Sequence, residues 1–174
     1  MSLSNSSEAR LEKKRAAETV MKRAAEDYAV ALHYILVKNA AELDYLLSLP
    51  NFSREYKHET ESIRLENERL LAHTRQIYQI FDWPLPDDAP DHIMNYDILE
   101  RHNHGDLSSR ELFHTMLFAI GNSLYEFRHE YQTLLHDAIE KTPPTSNMRA
   151  LLSNYMHEAN FFMRKIKSYD YLTH

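Results

Sequence analysis

The run MKRAAEDYAVALHYILVKNAAELDYLLSL, residues 21–49, holds neither glycine nor proline, and a stripe of Met21, Ala25, Tyr28, Leu32, Ile35, Asn39, Leu43 and Leu46 recurs along it at helical spacing. Steps of three and four residues put such a stripe on one face of a helix, turned toward a core. Upstream, as far as about Ser7, Ala, Glu, Lys and Arg dominate; all are good helix formers, so one long helix is predicted over about 7–49. Pro50 ends it. Ser53 is a suitable N-cap for a second helix over about 53–81, in which Tyr56, Ile63, Leu70 and Ile77 repeat every seventh residue. So short a connection makes the first two helices antiparallel neighbours.

Residues 82–106 differ: Pro84, Pro86 and Pro90 stand among acidic residues, with room for one short helix around Asp91 to His102. A third helix over about 108–141 is carried by Phe113, Leu117, Ile120, Leu124, Phe127, Tyr131, Leu135 and Ala138, and stops before Pro143-Pro144. A fourth over about 146–171 is carried by Met148, Leu152, Tyr155, Ala159, Phe162, Ile166 and Tyr169. Short, long and short connections between four amphipathic helices describe an all-α four-helix bundle with one crossover. A simple up-down bundle is the other topology compatible with the pattern.

Composition agrees. The 174 residues include only 2 Gly and 6 Pro, too few for a turn-rich β fold, and 43% hydrophobic residues suffice for one core in a single domain over 1–174. With no cysteine, zinc-thiolate sites, iron–sulfur clusters and thiol nucleophiles are excluded. Twenty Lys and Arg against 26 Asp and Glu, a net charge of -6, make a nucleic-acid partner an unfavoured expectation. The basic run Arg10 to Arg23 has glutamates interleaved at helical spacing and reads as a solvated face. No apolar run has the length of a membrane span or of a secretory signal, so no membrane association and a cytoplasmic location are expected.

Residues 123–168, SLYEFRHEYQTLLHDAIEKTPPTSNMRALLSNYMHEANFFMRKIKS, resemble the second hairpin of ferritin-like, rubrerythrin-type proteins. The resemblance implies a crossover four-helix bundle and, in its intact form, a dinuclear iron or manganese site. Each half of such a site takes one Glu from one helix and a Glu-x-x-His from the next. In that register Glu126 stands for the lone Glu and Glu158 for the first ligand of the motif; Phe161 then occupies the histidine's place. In the first half Glu26 or His33 would pair with Glu66, and Arg69 again replaces the histidine. His73, two turns beyond Glu66, completes the pool of six candidates: Glu26, His33, Glu66, His73, Glu126 and Glu158. At about 100° per residue, Glu126 and His129 point away from their helix's apolar stripe. With both Glu-x-x-His motifs broken, no cofactor is the expectation, and iron or manganese the alternative.

The predicted interior also carries Asn39, Thr60, Asn67 and Thr74, interleaved with Ile63, Leu70 and Ile77. Two readings suit such a row. It lines a pocket for a small ligand, or its amides pair with one another and set helix register. On the third helix Phe118, Tyr125, His129, Gln132 and His136 form a second arc apart from the main stripe, suited to a protein interface; Phe118, Tyr125, His129 and His136 are the candidate contact residues. His102-Asn103-His104-Gly105-Asp106 spells the opening of a metallo-hydrolase motif without its strand, and as a free loop offers at most weak metal binding. Phosphate-binding glycine loops, Gly-x-Ser-x-Gly elbows and His-Glu-x-x-His helices are absent. The resulting expectation is a non-catalytic or catalytically degenerate bundle acting by association, as a homodimer or with a protein partner. A dinuclear metal redox enzyme and a small-ligand binder are the alternatives.

Overall fold

Without a glycine or proline to interrupt it, the N-terminal run folds as one helix, α1 (Ser2–Ser48), which begins several residues earlier than the sequence predicts. The structure, a computed structural model, describes residues 2–86, 105 and 108–169. The possible helix around Asp91 to His102 and the His102/His104/Asp106 loop lie outside the described residues. At about 1.5 Å per residue the 47 residues of α1 extend roughly 70 Å, against roughly 40 Å for the 27 residues of α2 (Arg54–Ile80). The excess lies at the N-terminal end: residues 6–13 are exposed, and from residue 6 onward Met21 is the first that is buried.

Ser53 occupies the N-cap position of α2 as predicted, but its side chain does not cap; its backbone N–H donates instead to Ser109 Oγ, 3.1 Å away. At the other end Asp82 adopts φ 55, which turns the chain so that the Trp83 N–H reaches the Tyr78 carbonyl at 2.9 Å and the indole stacks on Phe81.

The third predicted helix exists, with an interruption. It comprises α3 (Ser109–Phe127), a π-helical turn (Arg128–Gln132) and α4 (Thr133–Glu140). Ser108 caps α3, its Oγ accepting from the Glu111 N–H at 3.1 Å. The last helix, α5 (Asn147–Ser168), is capped by Ser146, which accepts from the Arg149 N–H and donates to Glu18 of α1; residues 170 and 171, included in the expected span, lie outside the described residues. Counting α3, the π turn and α4 as one, four helices make up the fold, and there is no strand among the described residues.

Helix α1 packs on α2 and on the third helix, while α2 packs on α5. One end of the molecule gathers the beginnings of α2 and α3, where Tyr56 and Phe113 lie 5.2 Å apart between ring centroids, and the end of α5, where Tyr169 meets Phe113. The opposite end joins Glu18 to Ser146 and sets Lys22 over the Phe81 ring.

Two features of the core differ from the predicted stripes. Because α1 touches helices on two sides, it buries two adjoining rows: Leu36, Ala29 and His33 are buried and Ile35 is only half-buried. The π turn has the second effect. A π turn inserts one residue into the helical count, so the residue in phase with Phe127 is Gln132 rather than Tyr131. Gln132 is accordingly 8% exposed, whereas Tyr131 is half-buried. Gln132 thus leaves the outer arc on which the sequence placed it.

Candidate functional site

The interior polar row comes together as a set of mutual hydrogen bonds. Asn39 of α1 donates through Nδ2 to Asn67 Oδ1 at 3.3 Å, and Asn67 Nδ2 donates to the Leu36 carbonyl at 2.9 Å. Thr60 and Thr74 donate to the carbonyls one turn back, those of Tyr56 and Leu70. Thr74 Oγ1 also lies 2.7 Å from the Tyr155 hydroxyl, linking α2 to α5. All four row residues are buried, and the crevice beside Thr60, between Leu43, Leu46, Ile63 and Phe113, has no room for a water molecule. The arrangement ties helices to one another by amides and hydroxyls, as polar core residues do when they set register.

The six metal candidates are dispersed. Glu26 is exposed on α1 and Glu126 exposed on α3, while His33 is buried, its ring edge-on to Tyr34 and Tyr78. Only the α2/α5 seam brings candidates near one another. His73 Nδ1 hydrogen-bonds Glu158 there, and Glu66 pairs with Arg69 at 3.1 Å and Lys165 at 3.8 Å. Glu66 and Glu158 line a crevice of about 210 Å³ with Arg69, Leu70, Phe161 and Phe162. Among the described residues no group of three or more His, Asp or Glu is placed to hold a metal ion. The seam carboxylates face cationic or imidazole partners, Glu66 the Arg69 and Lys165 side chains and Glu158 the His73 ring. Phe161, where the family pattern needs a histidine, is 55% exposed.

The third-helix arc behaves differently. Phe118 and Tyr125 are 69% and 62% exposed, the His129 ring packs edge-on against Tyr125 at 4.5 Å, and His136 is exposed farther along, beyond the π turn. Phe118 and Tyr125 form one wall of a groove of about 370 Å³ between α3 and α5. Its floor includes Gly121, Leu117 and Leu124, and α5 supplies Met163, Ile166 and Lys167. Gly121 keeps the floor low: a Cβ at that position would stand 3.7 Å from Ile166 Cγ2 and project into the space between the helices. Arg128, the first residue of the π turn, closes one end.

The sequence pointed to one wall of this groove but not to its opposite wall or its charge. Gly121, one of only two glycines, was the available signal for it, since glycine inside a helical pattern often marks a close approach. Arg128 and Lys167 carried no such mark, because their meeting depends on how α5 is rotated against α3.

Burial also changes several ionisable groups. Desolvation, followed by the neighbouring Tyr155, holds the Tyr28 hydroxyl well above its ordinary value, and desolvation does the same for Tyr155 despite its bond to Thr74. Burial pushes Tyr78 up to about 12, with smaller contributions from Glu26 and Tyr34. Burial pushes Glu42 on α1 up to about 7, an effect that Lys38 only partly offsets.

No protein-family model, curated protein or solved structure gives a significant match to the chain.

Proposed function

We propose that the protein acts by association with another protein chain, with the α3/α5 face as the contact surface. The observation that carries this reading is the exposure of Phe118 and Tyr125, 69% and 62%, on the wall of one apolar groove. Two large aromatic side chains bordering a mainly apolar groove form the kind of patch that marks an interaction site, whereas isolated exposed apolar residues do not. At about 25 cal/mol per Å² of apolar area removed from water, covering both rings contributes a few kcal/mol toward the cost of association. The interior serves as scaffold in this reading. Within its polar row Asn39 bonds Asn67 and Thr74 bonds Tyr155, and the carboxylates of the α2/α5 seam are paired with Arg69, Lys165 and His73.

The ferritin-like crossover topology belongs to the same proposal. Contact between Ser53 and Ser109 supports α2 and α3 starting at one end of the bundle, which favours a crossover over a simple up-down chain. The metal chemistry of such bundles is not carried over, since Arg69 and Phe161 stand at the positions of both motif histidines.

The test is a photo-crosslinking amino acid in place of Tyr125, compared with the same group at the exposed Glu61 of α2, in cells producing the chain. An adduct of defined mass at position 125, absent at position 61 and lost on Phe118→Ser, is expected. Equal labelling from both positions, or none from position 125, would refute the reading.

A further inference from the structure

We propose that the α3/α5 groove receives an acidic amphipathic helix of a partner protein, the glutamates or aspartates of that helix pairing with Arg128 and Lys167 while its apolar side chains lie between Phe118 and Ile166. This rests on the association reading above and names the chemistry of the occupant. Two observations carry it. First, the only charged residues lining the groove are cationic, Arg128 from the π turn and Lys167 from the last turn of α5. Neither forms an ion pair with a carboxylate among the described residues, so both remain available to a docking carboxylate. In a chain of net charge -6, two unpaired cations flanking an apolar groove are a local reversal of sign. They are placed to meet carboxylates as the apolar groups dock.

Second, the shape suits a helix. Phe118 and Tyr125 are seven residues apart on α3, so the wall rises about two turns, roughly 10 Å, which matches side chains at i, i+4 and i+7 of a docking helix. The low floor at Gly121 admits such side chains between α3 and α5. A second copy of this chain is the less suited occupant. An isologous contact places a patch on itself, and a patch whose charged lining is wholly cationic holds no acidic group to complement it.

The experiment uses the full chain and two synthetic, fluorescein-labelled helical peptides with leucine at i, i+4 and i+7. One has glutamates on both flanks and the other has lysines at the same positions. Fluorescence polarisation is expected to show the glutamate peptide binding about tenfold or more tightly than the lysine peptide, with binding weakened by added salt. Arg128→Glu/Lys167→Glu should invert the preference, and Tyr125→Ser should weaken both peptides. Arg10→Glu/Arg15→Glu on the exposed start of α1 should leave the preference intact, which separates groove charge from overall charge. Every substituted residue is exposed, and circular dichroism checks that each variant keeps the wild-type helix content. Equal binding of the two peptides, no binding of either, or a preference unmoved by the charge reversal would overturn the acidic occupant. Light scattering that shows a dimer lost on Phe118→Ser/Tyr125→Ser would overturn it too while leaving association standing. Binding to phosphatidylglycerol vesicles that depends on Tyr125, without peptide binding, would overturn both.

Discussion

The Tyr155 hydroxyl, deep between α2 and α5, has one partner, Thr74 Oγ1, while Thr74 also has the Leu70 carbonyl. That asymmetry sets the order of two substitutions. Tyr155→Phe removes a hydroxyl and leaves Thr74 bonded to the backbone, and should cost about 1 kcal/mol; Thr74→Val strands a buried phenol and should cost about 1–3 kcal/mol. Denaturant unfolding of both variants measures the order, and equal costs would show that the bond is not holding the phenol. Glu42 makes a prediction of opposite character. Its carboxyl is raised to about 7 by burial, above its value in the unfolded chain, so the folded state holds the extra proton. Stability contributed by this group is therefore greatest below the unfolded value and is lost as pH rises through about 7, by on the order of 3 kcal/mol. Glu42→Gln should flatten that part of the profile, raising the urea midpoint at pH 8 and changing it little at pH 4. A variant whose profile parallels the wild type would refute this. Asn39, Asn67 and Thr74 were legible in the sequence as interior because they fall in phase with the apolar stripe; Glu42 was not, because a carboxylate on a helix is ordinarily solvated.

At the scale of an element, the π turn at Arg128–Gln132 decides which residues of the third helix meet the core. Leu124 and Phe127 before it, and Leu135, Ala138 and Ile139 after it, are all buried, and the turn puts Gln132 rather than Tyr131 in the buried place between them. Removing one exposed residue within the turn, Glu130, should let the helix close as regular α structure with its apolar face intact. The expected change in stability is within about 1 kcal/mol. Removing Glu61 from the regular helix α2 rotates everything after it by about 100°, takes Ile63, Leu70 and Ile77 out of the core and should abolish cooperative folding. Thermal melts followed by circular dichroism compare the two, and an unfolded Glu130 deletion would contradict the role given to the turn. Helix existence was readable here from periodicity and from prolines at the ends, whereas the π turn was not. A periodicity argument assumes constant twist, and a one-residue insertion changes the phase of every later position without changing its composition.

Over the whole molecule, the bundle occupies only part of the length of α1. From residue 6 to residue 20 the helix has no buried residue, and the Glu18 contact to Ser146 marks where the other helices begin to accompany it. A chain lacking residues 2–13 should therefore melt within about 2 °C of the full chain, since surface substitutions away from packed features change stability by roughly 0.5 kcal/mol or less. A fall of ten degrees would show that the exposed segment supports the bundle. Among the described residues, no helix is long and apolar enough to cross a membrane. The amino-acid sequence by itself determined the all-helical class, the approximate span of each helix, its principal buried stripe and the aromatic wall of Phe118 and Tyr125, because each follows from spacing within one segment. Tertiary structure alone decided the second buried row of α1, the phase shift at Gln132, the meeting of His73 with Glu158 at the α2/α5 seam and the placing of Arg128 and Lys167 on one groove with Gly121. The physical reason is that these depend on the rotation and axial offset of one helix against another. Those two quantities are set by the sum of many small packing contacts across the core, and no periodicity within a single helix records them.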